Sequence, residues 1–144
     1  MSYSVDVNLL LYASDRASPH HRAAFRFLEE RRSHPDLFCI AWPTLMSYLR
    51  IATHQSIFAE PLSPSEALGN VAALLGLRQV RALSEQEGFL DVYREIAGSF
   101  PVRGNLVPDA HLAAILRQHG IRMLYTRDID FRRFSFLETR DPLA

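Results

Sequence analysis

Lysine is absent from this chain. All 16 basic residues are arginine, and 16 acidic residues balance them, so the formal net charge is zero. A neutral chain projects no global field toward a polyanion, so any nucleic-acid contact has to be local. Cysteine is nearly absent too. The single Cys39 excludes an internal disulfide, and its apolar run Leu37-Phe38-Cys39-Ile40 reads as a buried strand. No apolar run approaches the roughly 18 residues of a transmembrane helix. The N-terminus has neither a basic start nor a long apolar stretch, so a cytoplasmic chain without a signal peptide is the expectation. Only six glycines occur, and none forms a phosphate-cradling loop or a Gly-x-Ser-x-Gly elbow. Cys-x-x-Cys and His-Glu-x-x-His are missing as well, which argues against zinc.

What is present is a 144-residue chain, 48% hydrophobic, long enough for one domain with a sizeable core. Short β-like runs alternate with helix-like ones. Strands are expected near 3–6, 37–40, 80–83, 122–125 and 136–139. Helices are expected near 8–14, from Ser18-Pro19 to about 32, and near 43–53, with Ala24, Phe25 and Leu28 as the second helix's apolar stripe. Two capping boxes, Ser63-Pro64-Ser65-Glu66 and Ser84-Glu85-Gln86-Glu87, predict helix starts. A helix near 108–119 ends at Gly120. The alternation predicts a three-layer α/β/α domain over 1–144 with a mostly parallel sheet of four or five strands.

Four aspartates stand where apolar elements start or stop. Asp6 follows the first strand, Asp109 opens a helix, and Asp128 and Asp130 follow the fourth strand. The carboxyl ends of parallel strands gather on one edge, where ligands bind. Carboxylates collected there repel one another unless a cation holds them, and oxygen ligands suit Mg²⁺ or Mn²⁺. Each aspartate also has a plainer reading: Asp6 as a helix N-cap, Asp109 as a helix-dipole partner, and Asp128 and Asp130 as turn residues. Thr126 is placed to orient a carboxylate or to end its strand. Arg117, Arg122, Arg127, Arg132, Arg133 and Arg140 crowd the last quarter, a basic rim suited to a polyanion. A GC-rich coding bias is the simpler reason for arginine in place of lysine.

Three segments carry a resemblance. Ser4-Val5-Asp6-Val7-Asn8-Leu9-Leu10-Leu11-Tyr12-Ala13 resembles the N-terminal signature of PIN-domain ribonucleases. Pro108-Asp109-Ala110-His111-Leu112-Ala113-Ala114 is similar to their central aspartate motif, and Tyr125-Thr126-Arg127-Asp128-Ile129-Asp130-Phe131-Arg132-Arg133-Phe134 to their C-terminal one. Trp42 to His54 resembles one branch of the VapC toxin group of type II toxin–antitoxin modules.

The resemblance implies a Mg²⁺- or Mn²⁺-dependent endoribonuclease that cuts structured RNA such as tRNA or rRNA, leaving a 5′-phosphate and a 3′-hydroxyl. It implies a homodimer and a cognate antitoxin docked on early helices, within 8–32 and 43–62. By position, Asp6, Asp109 and Asp128 become the metal acids and Asp130 an auxiliary catalytic acid. Asn8 and Thr126 become orienting residues, and Arg127, Arg132 and Arg133 the RNA contacts. One position departs from the pattern. Where many PIN domains carry a glutamate on the third helix, this chain has Ser47, and Glu60 on the following connector is a remote substitute. The competing expectation is therefore a weakened PIN-like module that binds RNA or antitoxin without cutting.

Overall fold

The computed structural model describes residues 1–144. The chain runs β1 (Ser2–Val5), α1 (Val7–Ser14), α2 (His21–Arg31), β2 (Leu37–Ala41), α3 (Trp42–Ala52) and α4 (Pro64–Leu75). It continues through β3 (Val80–Leu83), α5 (Phe89–Ala97), α6 (Leu106–Gln118), β4 (Met123–Tyr125), a 3₁₀ helix (Ile129–Arg133) and β5 (Glu138–Arg140). The five strands form one sheet in the order β3-β2-β1-β4-β5. Every pairing is parallel, so the expected mostly parallel sheet is wholly parallel. The order reverses between β1 and β4, which opens a crevice at their carboxyl ends.

Alternation along the strands divides the interior into two cores. Tyr3, Val5, Phe38, Ile40 and Val80 face one side, where α1–α4 supply Leu9, Phe27, Leu45, Tyr48 and Val71. Cys39, Ala41, Leu83 and Leu124 face the other, against Ala110, Ala113, Ile115 and Leu116 of α6. Large side chains fill the first interface. Small ones line much of the second: Ser4, Ala41, Ala110, Ala113 and Ala114 are all fully buried. That absence of bulk lets α6 lie close to the sheet.

Local chemistry explains where elements begin. The Ser63 box forms as expected: the Ser63 hydroxyl accepts the Glu66 N–H at 3.1 Å, and the Glu66 carboxylate accepts the Ser63 N–H at 3.2 Å. The Ser84 box does not form, and α5 starts only at Phe89, after Gly88 with φ +81°. Tertiary contacts hold that backbone instead. The Gln118 side chain accepts the Gln86 N–H and donates to its carbonyl, while His119 Nε2 lies 2.8 Å from the Ser84 carbonyl. Ser18 likewise bonds one turn early, to the His20 N–H, and α2 starts at His21. Its inner face is Ala24 and Phe27, whereas Phe25 is half exposed. Helix α6 begins two residues ahead of expectation, at Leu106, and ends as expected at Gly120 with φ +70°. The last strand sits at 138–140 and not 136–139, because Phe134 and Leu137 turn inward after the 3₁₀ helix.

Candidate active site

The crevice between β1 and β4 collects all four aspartates. Asp6 leaves β1 and caps α1: its Oδ1 accepts the Val7 N–H at 2.7 Å. Its Oδ2 accepts the Thr126 hydroxyl at 2.8 Å. The same Thr126 oxygen accepts the Asp128 N–H at 2.9 Å, and Asp128 Oδ1 accepts the Asp130 N–H at 2.9 Å. A single directed chain of hydrogen bonds thus runs from the 3₁₀ turn through Thr126 to the first strand. Asp6 serves both as an N-cap and as a neighbour of the other acids, so its two readings do not compete. Asp109 enters from the first turn of α6, at the depth set by the small residues beneath that helix.

Asp109, Asp128 and Asp130 bring one carboxylate oxygen each within 4.8 Å of one another. Oxygens around Mg²⁺ at about 2.0–2.1 Å lie up to about 4.2 Å apart, so the trio needs little closing. Asp6 lies outside that trio, with both oxygens already engaged. Asp130, which the resemblance made auxiliary, stands inside it. The two are not on a strand, where an i, i+2 pair shares one face: Asp128 is the N-cap of a 3₁₀ helix, and its bond to the Asp130 N–H fixes the turn that carries both.

No arginine or histidine pairs with any of these four carboxylates. The Asp109 carboxylate makes no hydrogen bond to the protein, and its acid is pushed up to about 6, first by burial and then by Asp128, Asp6 and Asp130. Burial also raises Asp6, against the Thr126 and Val7 bonds that lower it. Unneutralised carboxylates, with Asp109 raised first by burial and then by its neighbours' charge, have the electrostatics of a divalent-cation site.

The other candidates fall differently. Asn8 is half-buried on α1 and has no side-chain hydrogen bond to the acids. Arg127 is drawn away from the crevice: its Nε donates to Asp141 Oδ2 at 3.1 Å, and its guanidinium lies 2.7 Å from His20 Nε2. Arg117 pairs with Glu95 and Arg140 with Glu138. Arg122 precedes β4 and so stands at the opposite edge of the sheet. The basic rim expected from sequence therefore thins to Arg132 and Arg133, exposed on the 3₁₀ helix without a carboxylate partner. Ser47 is half-buried on α3, and no glutamate joins the acidic group. Glu60 lines a separate cavity between α2 and α4.

Thr126 offers a test that leaves the carboxylates untouched. Thr126→Val removes one bond to buried Asp6 and one from Asp128, at about 1–3 kcal/mol for the partners left unsatisfied. Loss of such an orienting contact lowers metal affinity about 10–100-fold. Calorimetric Mn²⁺ titration should show that drop, with recovery in Thr126→Ser. Equal affinity for valine and threonine would remove Thr126 from the site.

The PIN domain family matches residues 3–137. Ribonuclease VapC48 of Mycobacterium tuberculosis is 41% identical over 144 residues, covering 100% of this chain and 99% of that protein. Ribonuclease VapC37 of the same species is 32% identical over 140 residues, covering 97% of this chain and 96% of its own length. Among solved structures, VapC20 of M. tuberculosis, described as a sarcin–ricin loop cleaving toxin, superposes with a TM-score of 0.70 at 20% identity, covering 96% of this chain and 99% of that one. VapBC2 of Rickettsia felis, solved on a promoter DNA fragment, gives 0.70 at 16% identity, covering 97% and 98%. At such identities the structural likeness is one of fold. The family match and the full-length relatives carry further: this chain belongs to the PIN-domain family and, within it, to the VapC ribonucleases.

Proposed function

We propose that residues 1–144 form a single PIN domain acting as the toxin of a type II toxin–antitoxin module, an endoribonuclease that cleaves tRNA or rRNA with Mg²⁺ or Mn²⁺. One observation carries the reading: three carboxylate oxygens within 4.8 Å at the strand-order switch, with no cationic side chain to neutralise them. Asp109, Asp128 and Asp130 hold the metal, and Asp6 completes the acidic wall. Bound there, a divalent ion lowers the pKa of water and offsets charge on a scissile phosphate. The protein's own part is positioning. Thr126 and the Asp128 N-cap fix two carboxylates in a turn, the close-packed α6 delivers the third, and the exposed Arg132 and Arg133 meet the RNA backbone.

The partner reading rests on a second region. A cavity of about 910 Å³ opens between α1–α2 and α3–α4, lined by Leu10, Phe25, Leu45, Leu62 and Val71. Eleven of its twenty lining residues are hydrophobic and the rest polar or charged, a mixed lining that, with its helical walls, suits an amphipathic antitoxin segment. Trp42 and Met46, exposed one turn apart on α3, suit self-association as a homodimer. No helix is long and apolar enough to cross a membrane, and cytoplasmic RNA is the substrate pool this reading requires.

The test is cleavage of purified tRNA and rRNA with Mn²⁺ or Mg²⁺ against EDTA. Metal-dependent fragments bearing 5′-phosphates are expected, together with growth arrest on expression that is relieved by Asp109→Asn. The absence of a glutamate from the acidic group favours one alternative, a weakened module that binds without cutting. Cleavage that appears only in Ser47→Glu would decide for it.

A further inference from the structure

On the far side of the 3₁₀ helix from the acids lies a small polar notch of about 230 Å³, between α5, α6 and the start of the last strand. Arg117 and Arg133 line it together with Glu95, Ser99 and Ser135. Each guanidinium lies over an aromatic ring, Arg117 at 5.1 Å from the Phe136 centroid and Arg133 at 5.7 Å from that of Phe100. Phe100, Phe131 and Phe134 contact one another beneath, with centroids 5.6 and 6.2 Å apart. Two cations thus share one recess on a rigid aromatic floor, and only Glu95, 3.5 Å from Arg117, opposes them. Arg133 has no acidic partner at all.

The geometry points to a phosphate subsite: we infer that the Arg117–Arg133 notch holds a backbone phosphate of the RNA further along the chain from the one being cut. This rests on the ribonuclease reading and extends it. Three features select the ligand. Paired planar forks flanked by hydroxyls match phosphate oxygens. The volume lies below the roughly 300 Å³ at which small-molecule pockets begin, so a single phosphate fits and a whole nucleotide does not. Arg133 is three residues beyond Asp130 on the same 3₁₀ helix, about 6 Å along its axis. Arg117 is eight residues beyond Asp109 on α6, about 12 Å along that axis, so the notch lies past the acids toward the starts of the strands. In the free protein Glu95 occupies part of this cationic face, so an incoming phosphate displaces it from Arg117.

The test measures binding of a fluorescein-labelled single-stranded RNA in EDTA across a salt series, with full-length protein. Arg117→Gln and Arg133→Gln should each weaken binding about 3–10-fold. The double variant should lower the slope of log affinity against log salt by about 0.7 for each phosphate it no longer neutralises. Glu95→Gln should tighten binding, an effect that mere loss of structure would not produce. Arg78→Gln, which removes the same charge from an exposed site before β3, at the far end of the sheet from β5, should bind as the unaltered protein does. If Arg117→Gln and Arg133→Gln bind normally, or Arg78→Gln loses as much as they do, the notch is not a subsite, and metal-dependent cleavage would leave the ribonuclease reading standing. If the unaltered protein neither binds nor cuts RNA, both fall.

Discussion

Asp128→Asn should lose about 1000-fold or more in RNA cleavage and yet be the more heat-stable protein without metal. The two effects share one cause. Asparagine keeps an acceptor for the Asp130 N–H and leaves the Asp128 N–H bond to Thr126 intact, so the turn survives. What goes is the negative charge that faces Asp109 and raises its acid. In the metal-free protein that charge is pure repulsion, and its removal stabilises. In the loaded protein it is part of the cation's cage, whose transition-state stabilisation amounts to several kcal/mol. Three decades of rate correspond to about 4 kcal/mol. Single-turnover cleavage and metal-free thermal unfolding, measured on one preparation, test the pair of effects. Activity within tenfold of the unaltered protein would remove the acidic group from the chemistry, and a falling Tm would mean that the charge is not frustrated as described.

Metal stabilisation should depend steeply on pH, in a direction the acids fix. Asp109 rises from 3.8 to about 6 on folding, so the folded protein holds this proton more tightly than the unfolded chain does. Its contribution to stability is complete below about pH 4 and is lost as pH climbs through about 6. Buried Asp6 acts in the same direction. A divalent ion reverses this by binding the deprotonated acids, and below pH 6 its apparent affinity should fall about tenfold per unit for each proton displaced. At 100 times its dissociation constant, an ion adds about 2.7 kcal/mol. For a chain of this size that is roughly 5–10 °C. Thermal unfolding with and without Mn²⁺ should show that gap at pH 7.5 and about half of it at pH 5. In Asp109→Asn the dependence should flatten. Equal Mn²⁺ shifts at both pH values would rule out proton competition at this site.

The features legible in the sequence were those fixed by local chemistry. Strand alternation, the Ser63 capping box and Gly120 each need only neighbouring residues, and each stands where the sequence puts it. The positions of Asp6 and Asp128 followed from strand ends and a parallel sheet. Features decided by partners far along the chain were not legible. The Ser84 box looks like the Ser63 box, but Gln118 and His119, more than thirty residues away, hold its backbone in another shape. Arg127 looks like a phosphate ligand until His20 and Asp141 reach it. That Asp130 joins Asp109 and Asp128 depends on a 3₁₀ turn capped by Asp128, which a polar turn in the sequence does not announce. The pairing of Arg117 with Arg133 across a notch joins two elements whose spacing in sequence carries no period.

The strand order has a consequence in time. Residues 1–83 contain β1, β2, β3 and α1–α4, and so every residue lining the cavity proposed for the antitoxin. Asp109, Asp128 and Asp130 come later, and the Thr126–Asp6 bond closes across 120 residues. At about 5–20 residues per second, the remaining 61 residues (144 less 83) take about 3–12 s to synthesise. During translation the surface for restraint is therefore finished while the cutting centre still lacks three of its four acids. A partner docking there as proposed can be in place before the nascent chain is able to do harm.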